Sequence, residues 1–376
     1  MKTTRVVSIA IRAAALAVAI GRLARAANQP PPLGSAPTGA AAGSTTGSTT
    51  GAAALLRPGS ISIVIPARNE AERIVPLLQA LQGATNVIEI LVVDDQSTDS
   101  TAAIAASYGA VVISGQALPD GWAGKAWAVQ QGIDQARGTW IVTLDADTRP
   151  GADLPAALIA RMVADGTQFA TVAGNFECPT TGVAWLHPAM LTTLVYRFGP
   201  PGGQRRPDRQ LANGQCMAFA NDANISLSDV RSNTVEDVAL ARHLAGRGLN
   251  VAMYDGSSLL TTRMYEDLGD AWSGWGRSLA LPGVETAWRQ SLDLAIVVLA
   301  QVLPLPRVVL RRRGDIVDVV GVLMRLGTLV GTRRAYRSVS PVYWLSPLAD
   351  SAAAVAIARG IVARQQTWRG RSYSAD

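Results

Sequence analysis

The sequence has few of the residues that build disulfide frameworks and zinc sites. Its 376 residues include two cysteines, Cys178 and Cys216, and two histidines, His187 and His243. Two cysteines give no disulfide framework, and the four residues together do not have the spacing of a familiar zinc site. We therefore expect all four to be packing residues.

Charged residues are also scarce, at 16% of the chain, whereas hydrophobic residues make up 48%. This composition argues against a purely soluble protein with a charge-rich surface. The formal net charge is +6. Many of the basic residues lie late in the chain: Arg307, Arg311, Arg312, Arg313, Arg325, Arg333, Arg334 and Arg337. Among apolar segments, without an RNA-binding aromatic motif, these arginines favour a membrane partner and no nucleic acid.

Composition divides the chain into four predicted parts. Residues 1–27 are apolar but contain arginines, so they form a membrane anchor or a secretory signal with Ala24-Arg25-Ala26 at its cleavage site. We favour the anchor, because the substrates inferred below are cytosolic. Residues 28–60 are rich in Pro, Gly, Ser and Thr and are expected to form a flexible linker. A catalytic domain over 61–280 and a membrane-associated helical region over 281–376 complete the organisation.

Strand and helix patterns alternate from Ile61 onward. Short apolar strands are predicted over Ile61–Ile65, Ile88–Val93, Ala110–Ile113 and Trp140–Leu144. Helices are predicted over Glu70–Leu81, up to Tyr108, and over Gly124–Ala136. This alternation predicts an α/β fold with right-handed βαβ units and a mostly parallel central sheet. In such sheets, ligands bind just outside the carboxyl ends of the strands.

Polar residues follow three of these strands at the expected ligand-binding edge. They are Arg68, Asn69 and Glu70 after Pro66, then Asp94 and Asp95, then Asp145 and Asp147. Asp147 is a candidate ligand for Mg²⁺ or Mn²⁺, because hard divalent cations prefer oxygen ligands and usually keep substrate phosphates in their shell. Asp145 is placed to bind the sugar hydroxyls of a nucleotide, and Asp95 to contact its base.

Four segments resemble, in order, the hallmarks of family 2 glycosyltransferases with the GT-A fold, the Rossmann-like fold of nucleotide-diphospho-sugar transferases. These segments are Ser62–Glu70, Val93–Thr101, Leu144–Asp147 and Val235–Asp237. Four others are similar to the membrane-associated subgroup that glycosylates carotenoids and hopanoid-type lipids: Leu118–Trp127, Arg263–Tyr265, Trp272–Arg277 and Trp368–Tyr373. The family's Gln-x-x-Arg-Trp element is absent, and Trp272–Arg277 is expected to take its place.

The resemblance implies a role for each site residue. The nucleotide-sugar site would contain Pro66, Arg68, Glu70, Asp95, Lys125 and Asp145, with the metal on Asp147. The acceptor side would contain Asn213, Gly214, Glu236, Trp275 and Arg277. Asp237 would be the catalytic base, although acids at a helix N-terminus can also serve only to stabilise the helix dipole. The expected reaction is inverting transfer of a sugar to a hydroxyl or carboxyl of a lipid acceptor, at the cell membrane and on its cytoplasmic side.

The C-terminal third contains three apolar stretches. Leu292–Pro306 and Ile316–Gly331 are shorter than the about 20 residues that a spanning helix needs. If both spanned from a cytosolic domain, the arginines at 311–313 would lie outside, against the positive-inside tendency, so interfacial or re-entrant helices fit them better. Val342–Ala363 is the best spanning candidate.

Two other functions remain open at the level of sequence. The run Ile141–Thr148 also matches the Asp-x-Asp-x-Thr motif of haloacid-dehalogenase-like phosphatases, in which Asp145 would be the nucleophile. That motif normally opens its domain, whereas three predicted strands precede it here. The other alternative is a non-catalytic membrane subunit that binds a nucleotide sugar without turnover, against which an intact Asp237 argues.

Overall fold

The computed structural model describes residues 2–34, 60–202, 206–309, 314–362, 365–368 and 371–374. Most of the predicted linker, residues 35–59, therefore lies outside the described residues, as do residues 369–370 of the C-terminal motif. The four strands predicted between residues 61 and 144 all lie within the described residues, and their observed boundaries agree with the predicted ones within two residues.

The helices are α1 (Lys2–Leu23), α2 (Ala71–Leu81), α3 (Thr101–Ser107), α4 (Gly124–Gln135), α5 (Leu154–Asp165), α6 (Thr181–Phe198), α7 (Glu236–Gly246), α8 (Leu268–Ser278), α9 (Ala287–Val297), α10 (Pro304–Val309), α11 (Ile316–Thr332) and α12 (Asp350–Val362). The strands are β1 (Ile61–Ala67), β2 (Val87–Asp94), β3 (Val111–Ser114), β4 (Trp140–Leu144), β5 (Thr148–Pro150), β6 (Phe169–Ala173), β7 (Asn175–Phe176), β8 (Cys216–Ala220), β9 (Val251–Asp255), β10 (Leu260–Thr262), β11 (Gln365–Trp368) and β12 (Arg371–Ser374).

The largest sheet in the described part of the chain has seven strands, in the order β3-β2-β1-β4-β8-β6-β9. Strands β1 to β4 are mutually parallel, and β6 is parallel to β9. Strand β8 runs antiparallel to both of its neighbours, β4 and β6. The central sheet is therefore mostly parallel, as the alternation of strands and helices predicted.

Strand β1 continues past Pro66, where the sequence predicted that it would stop. The β1–β4 ladder ends at the pair formed by Val64 and Thr143, whereas pairing with β2 continues to Ala67. Pro66 therefore lies beyond the end of one ladder, where the N–H group that proline lacks is not needed for that pairing. All seven residues of β1 are buried, which suits its place in the middle of the sheet.

A smaller sheet supports the loop after β4. Its order is β5-β10-β7, with β10 antiparallel to β5 and parallel to β7. Because β5 begins one residue after Asp147, this sheet fixes the direction in which the chain leaves the aspartates. The loop itself is closed by hydrogen bonds from the N–H and the hydroxyl of Thr148 to the main-chain oxygen of Asp145, at 3.0 and 2.7 Å.

The described residues include three helical segments that are long and apolar enough to cross a membrane: Thr3–Ala27, Ala287–Val309 and Pro341–Val362. The second is longer than the apolar run Leu292–Pro306 indicated, because the helix begins at Ala287 and a π-helical turn over Val298–Val302 leads into α10. Pro304 is the first residue of α10, a position that tolerates its missing N–H. These segments pack against α6 and α11 beside the sheet-containing domain.

Candidate active site

The carboxyl ends of β1, β2 and β4 lie at the same edge of the sheet because these strands are parallel. Arg68, after β1, donates a hydrogen bond from Nη1 to the main-chain oxygen of Asp95, at 2.6 Å. Asp95, after β2, is buried, and its N–H bonds the main-chain oxygen of Ala67 at 2.8 Å. The first two loops are thus joined, as expected for one binding surface.

Two other residues predicted after β1 shape this edge from within the protein. Pro66 is buried inside the strand. Glu70 is also buried, at the start of α2, and its N–H donates to the hydroxyl of Thr101, at 2.9 Å. The negative charge of Glu70 acts on Asp147 across the site. Both residues therefore lie at the predicted position, with Glu70 close enough to influence the acidic loop electrostatically.

Lys125 joins the two acidic segments of the site. Its Nζ lies 2.9 Å from Asp145 Oδ2 and 3.1 Å from Glu236 Oε1. Burial alone lowers the pKa of this lysine, but the charges of Asp145 and Glu236 outweigh burial and hold its pKa above the usual value. Lys125 is therefore a buried ammonium group, and the first turn of α4 delivers it between β4 and α7.

Asp147 has one carboxylate oxygen that no neighbouring group satisfies among the described residues. Its Oδ1 is buried and has no hydrogen-bond partner among the described residues. Burial, together with the charges of Asp145 and Glu70, raises the pKa of Asp147 to about 7. A divalent cation would relieve this repulsion and use the unpaired oxygen, so the donor chemistry fits such an ion.

The described residues contain no cluster of three or more His, Cys, Asp and Glu side chains arranged around a metal position. A cation at Asp147 would therefore take most of its other ligands from substrate or water. Mg²⁺ is commonly bound in this way, through one or two carboxylates and the phosphates of the substrate.

Asp237, in the first turn of α7, is held in place by two main-chain N–H groups. Gly214 donates to Oδ2 at 2.7 Å and Val238 to Oδ1 at 2.8 Å. Burial and the neighbouring charge of Glu236 raise the pKa of Asp237 to about 7, in spite of these bonds and the nearby charge of Lys125. Such a carboxylate can take a proton near neutral pH.

The absence of a side chain at Gly214 lets Lys125 and Asp237 lie close to its main chain. A Cβ atom added there would lie 3.1 Å from Lys125 Nζ and 3.3 Å from Asp237 Oδ2. An alanine would press on both charged groups. The glycine that the sequence placed on the acceptor side thus lies between Lys125 and Asp237.

The other residues predicted on the acceptor side occupy different positions. Asn213 donates from Nδ2 to Gln215 Oε1, at 3.0 Å, and Gln215 also accepts from the Thr262 hydroxyl, at 3.1 Å. Trp275 in α8 is buried and lines the same cavity as the acidic residues. Arg277 is also in α8, but its side chain lies outside the described part of the chain.

Among the polar residues that line this cavity, sequence reasoning did not assign Arg73 and Gln215 to the site. The positive charge of Arg73, in α2, lowers the pKa of Asp147, although by less than burial raises it. Its place in the first turns of the helix after β1 is a signal that could have identified it. Gln215 follows Asn213-Gly214 directly, but nothing in the sequence indicated that its side chain would connect the two.

One cavity of about 1800 Å³ joins the acidic segments, whereas Arg68, Glu70 and Asp95 do not line it. Its polar part is lined by Lys125, Asp145, Asp147, Glu236 and Asp237. Its apolar part is lined by side chains of α1, α6 and α11: Ile20, Leu23, Leu191, Leu194, Met324 and Val330. A single continuous space therefore connects buried charged groups with a wall of apolar helices.

The two histidines and two cysteines do not line the cavity. His187 is buried among the rings of Phe176, Trp275 and Tyr336, and burial lowers its pKa to about 3, so it is neutral. His243 pairs with Asp229 at 3.2 Å. Both cysteines are free, with Cys216 buried in β8. This arrangement agrees with packing roles for the four residues.

A sequence comparison finds the first relationship to known proteins. Residues 62–223 match the profile of the family described as Glycosyl transferase family 2. The matched segment begins in β1 and ends just after β8, so it includes the loops that carry Asp95, Asp145 and Asp147. It ends before Asp237.

Named relatives extend the similarity. A 4,4'-diaponeurosporenoate glycosyltransferase from Staphylococcus aureus strain MRSA252 is 27% identical over 240 residues, which are 59% of this chain and 61% of that protein. The protein of the same name from strain bovine RF122 / ET3-1 is 43% identical over 89 residues, 23% of this chain and 24% of that protein. The aligned part of this chain thus spans less than two-thirds of the length of these relatives.

A solved structure resembles nearly the whole chain. The mannosyltransferase from Pyrobaculum calidifontis, in complex with GDP-mannose and Mn²⁺, superposes with a TM-score of 0.53. The match covers 95% of this chain and 98% of that one, at 15% sequence identity. At this identity the similarity concerns the fold, including the helices that follow the sheet domain.

Proposed function

We propose that this chain, which carries a family 2 glycosyl transferase domain on the GT-A fold, transfers a sugar from a nucleotide-diphosphate sugar to a lipid. The acceptor would be an apolar, isoprenoid- or carotenoid-like lipid that offers a hydroxyl or carboxyl group. The Staphylococcus aureus relatives, named for glycosylating 4,4'-diaponeurosporenoate, support this acceptor class. The reaction would take place at the cell membrane, with the catalytic domain on the cytoplasmic side.

The observation that carries the proposal is the shared cavity of Asp145, Asp147 and Asp237. Lys125 bridges Asp145 and Glu236, so the two acidic segments lie within the span of one lysine side chain. A donor bound at β4 and an acceptor beside α7 would therefore meet in the same space. The volume, about 1800 Å³, exceeds the 300–1,000 Å³ of ordinary small-molecule pockets and leaves room for two substrates.

On the donor side, the joined loops after β1 and β2 would bind the nucleotide through Arg68 and Asp95. Asp145 would bind the ribose hydroxyls, and Lys125 would neutralise the diphosphate. A divalent cation, Mg²⁺ or Mn²⁺, would be held by Asp147 and would supply Lewis-acid stabilisation of the departing diphosphate. The Pyrobaculum calidifontis enzyme was solved with GDP-mannose and Mn²⁺.

On the acceptor side, Asp237 would take the proton of the attacking hydroxyl. The N–H groups of Gly214 and Val238 hold its carboxylate in one orientation, which favours proton transfer along a fixed direction. Attack from the side opposite the departing diphosphate inverts the anomeric carbon. A carboxylate acceptor would need no base, so dependence on Asp237 also reports the chemistry of the acceptor.

The proposal is tested with membrane preparations of the full-length protein, a panel of nucleotide sugars, Mn²⁺ and extracted polyisoprenoid lipids. We expect lipid-dependent release of nucleoside diphosphate, reduced about 10²–10⁴-fold in Asp237→Asn, because a positioned base contributes about that factor. Asp229→Asn is the matched control, since Asp229 is exposed and lies outside the cavity.

The same assay separates the alternatives. Nucleotide-sugar binding without release, for every donor and lipid, would favour a non-catalytic subunit. Phosphate release from simple phosphomonoesters would instead favour the phosphatase mechanism with Asp145 as nucleophile, and would contradict our proposal.

A further inference from the structure

We propose that helix α1 forms one wall of the lipid-acceptor site, in which an apolar isoprenoid chain lies between α1, α6 and α11. This inference rests on the proposed function, because it assigns the acceptor to the apolar part of the same cavity. It gives residues 2–23 a role in substrate binding, in contrast to an anchor that only holds the protein at a membrane.

The cavity has a polar part and an apolar part. The end near Asp145 and Asp237 suits a nucleotide diphosphate and its cation. The apolar side chains of α1, α6 and α11 named above line another part of the cavity, and Arg333, Arg334 and Arg337 line it just after the end of α11. An extended apolar chain would gain free energy by leaving water there, roughly in proportion to the area that it buries.

The apolar part of the cavity is open to the surroundings of the protein at Ile20 and Val330. Ile20 on α1 and Val330 on α11 both line the cavity, yet their side chains are 44% and 64% exposed. Contiguous exposed apolar side chains mark surfaces that bind apolar partners. The acidic end of the cavity leads to these residues, so a lipid that entered between them would present its polar group toward Asp237.

Buried apolar residues and ion pairs fix α1 in place beside the cavity. Leu16 and Ala19 are buried against α6 and the C-terminal helices. Arg12, itself buried, lies 2.5 Å from both Asp315 and Asp318, at the start of α11. These contacts fix α1 to α11, and Leu16 and Ala19 also belong to one hydrophobic cluster with Val317 and Met324 of α11.

Arg22 makes further contacts near the C-terminal end of α1. Arg22 donates to the main-chain oxygen of Tyr196 in α6 at 3.0 Å and pairs with Asp293 of α9 at 3.4 Å. The helix is thus held on both sides of Ile20, to α11 through Arg12 in its middle and to α6 and α9 through Arg22 near its end. A mobile anchor would not require two such buried charge contacts.

The test is photolabelling of the full-length protein in detergent with benzophenone-tagged geranylgeraniol. Ile20→Trp and Val330→Trp place a large side chain in the apolar end, and both positions are partly exposed, so folding is tolerant of the change. Val18→Trp and Leu323→Trp are matched controls on the same two helices, at exposed positions outside the cavity lining. Binding of nucleotide sugar is measured in parallel to verify folding.

We expect the wild type and both control variants to be labelled on peptides of α1 and α11, with excess untagged geranylgeraniol preventing the labelling. Labelling should fall at least fivefold in Ile20→Trp and Val330→Trp, with nucleotide-sugar binding unchanged. Equal labelling of all four variants, or labelling that untagged lipid does not compete, would overturn the inference.

The lipid site and the reaction can fail separately. Selective loss of labelling in the two cavity variants, without glycosyl transfer from any donor, would leave the acceptor site standing and refute the proposed activity. Transfer to polyisoprenoid lipid that is equally fast in all four variants would support the activity and refute this acceptor site.

Discussion

At the scale of single residues, the site is defined by carboxylates that are costly to bury. Asp147 and Asp237 both have pKa values of about 7, several units above the usual value for aspartate, and burial is the main cause for each. The charges of Asp145 and Glu70 also raise the pKa of Asp147, and the charge of Glu236 raises that of Asp237. Perturbed carboxylates of this kind cluster at functional sites, which is the physical reason for placing the chemistry here.

These values predict the pH dependence of sugar transfer. In the proposed mechanism Asp237 must be ionised to accept a proton, so we expect kcat/KM to fall about tenfold per pH unit below pH 7 when Mn²⁺ is saturating. Protons would also compete with the proposed cation for Asp147, so at limiting Mn²⁺ the slope of log(kcat/KM) is expected to approach two. The measurement is a pH profile between pH 5.5 and 8.5 at two Mn²⁺ concentrations. A flat acid limb would contradict these roles.

The sequence indicated which polar residues lie at the ligand-binding edge of the sheet, but it did not indicate which of them contact residues far away in the chain. Strand ends place Asp95, Asp145 and Asp147 at one edge of a sheet. The bridge of Lys125 to Glu236 joins residues 111 positions apart, and no local pattern specifies such a contact. The roles of the site residues stay predictions, since geometry alone does not assign them.

At the scale of elements, the position of Lys125 depends on how closely α4 approaches the sheet. Gly132 faces β1 and β2, and a Cβ atom there would lie 2.4 Å from Val64 Cγ1 and 3.0 Å from Val93 Cγ2. Both valines are fully buried within the sheet, so they have little room to move. The glycine therefore lets α4 lie directly on the strands and brings its first turn to the site.

Gly132→Ala should destabilise the protein by about 1–3 kcal/mol, the usual cost of overpacking a core. Its melting temperature in detergent should fall, and nucleotide-sugar binding should weaken because the first turn of α4 is displaced. Gly246→Ala is the control: its added Cβ meets no described atom within 4 Å, and alanine favours helix. Equal melting temperatures of the two variants would show that α4 adapts to the extra methyl group.

The elements that sequence patterns predicted are those with strong local signals. Strand β4 was predicted with its observed bounds, Trp140–Leu144, because it is a continuous apolar run. The antiparallel strand β8, next to it in the sheet, was not predicted. Its residues, Cys216–Ala220, include no β-branched side chain, and it pairs with β4, a strand more than seventy residues earlier in the chain.

At the scale of the whole molecule, helix α1 packs with the helices of the last third of the chain beside the sheet. The sequence favoured a membrane anchor for residues 1–27 and left the contacts of α1 open. Arg12 reaches across 303 residues of sequence to Asp315, and Arg307 shares Asp318 with it, at 2.9 Å. Composition identified these segments as apolar, but charge pairs between distant helices cannot be read from either helix alone.

The charge contacts of α1 give a prediction that distinguishes a docked helix from a simple anchor. Arg12→Leu makes α1 more apolar, so an anchor would insert into a membrane at least as well. In the docked helix, the change leaves Asp315 and Asp318 without their buried partner. Loss of one member of a buried pair typically costs about 3–5 kcal/mol, and Arg307, which still contacts Asp318, would keep the loss near the lower end.

We therefore expect the melting temperature of Arg12→Leu in detergent to fall clearly below that of the wild type. Arg5→Leu is the matched control, because Arg5 is exposed on the same helix and the change in composition is identical. If α1 is fixed to α11 through Arg12, only the Arg12 variant loses stability, and the loss should also lower photolabelling by isoprenoid, since the two walls of the cavity would separate. Identical melting curves for the two variants would mean that the contact contributes nothing to the fold, and α1 would be better described as an anchor.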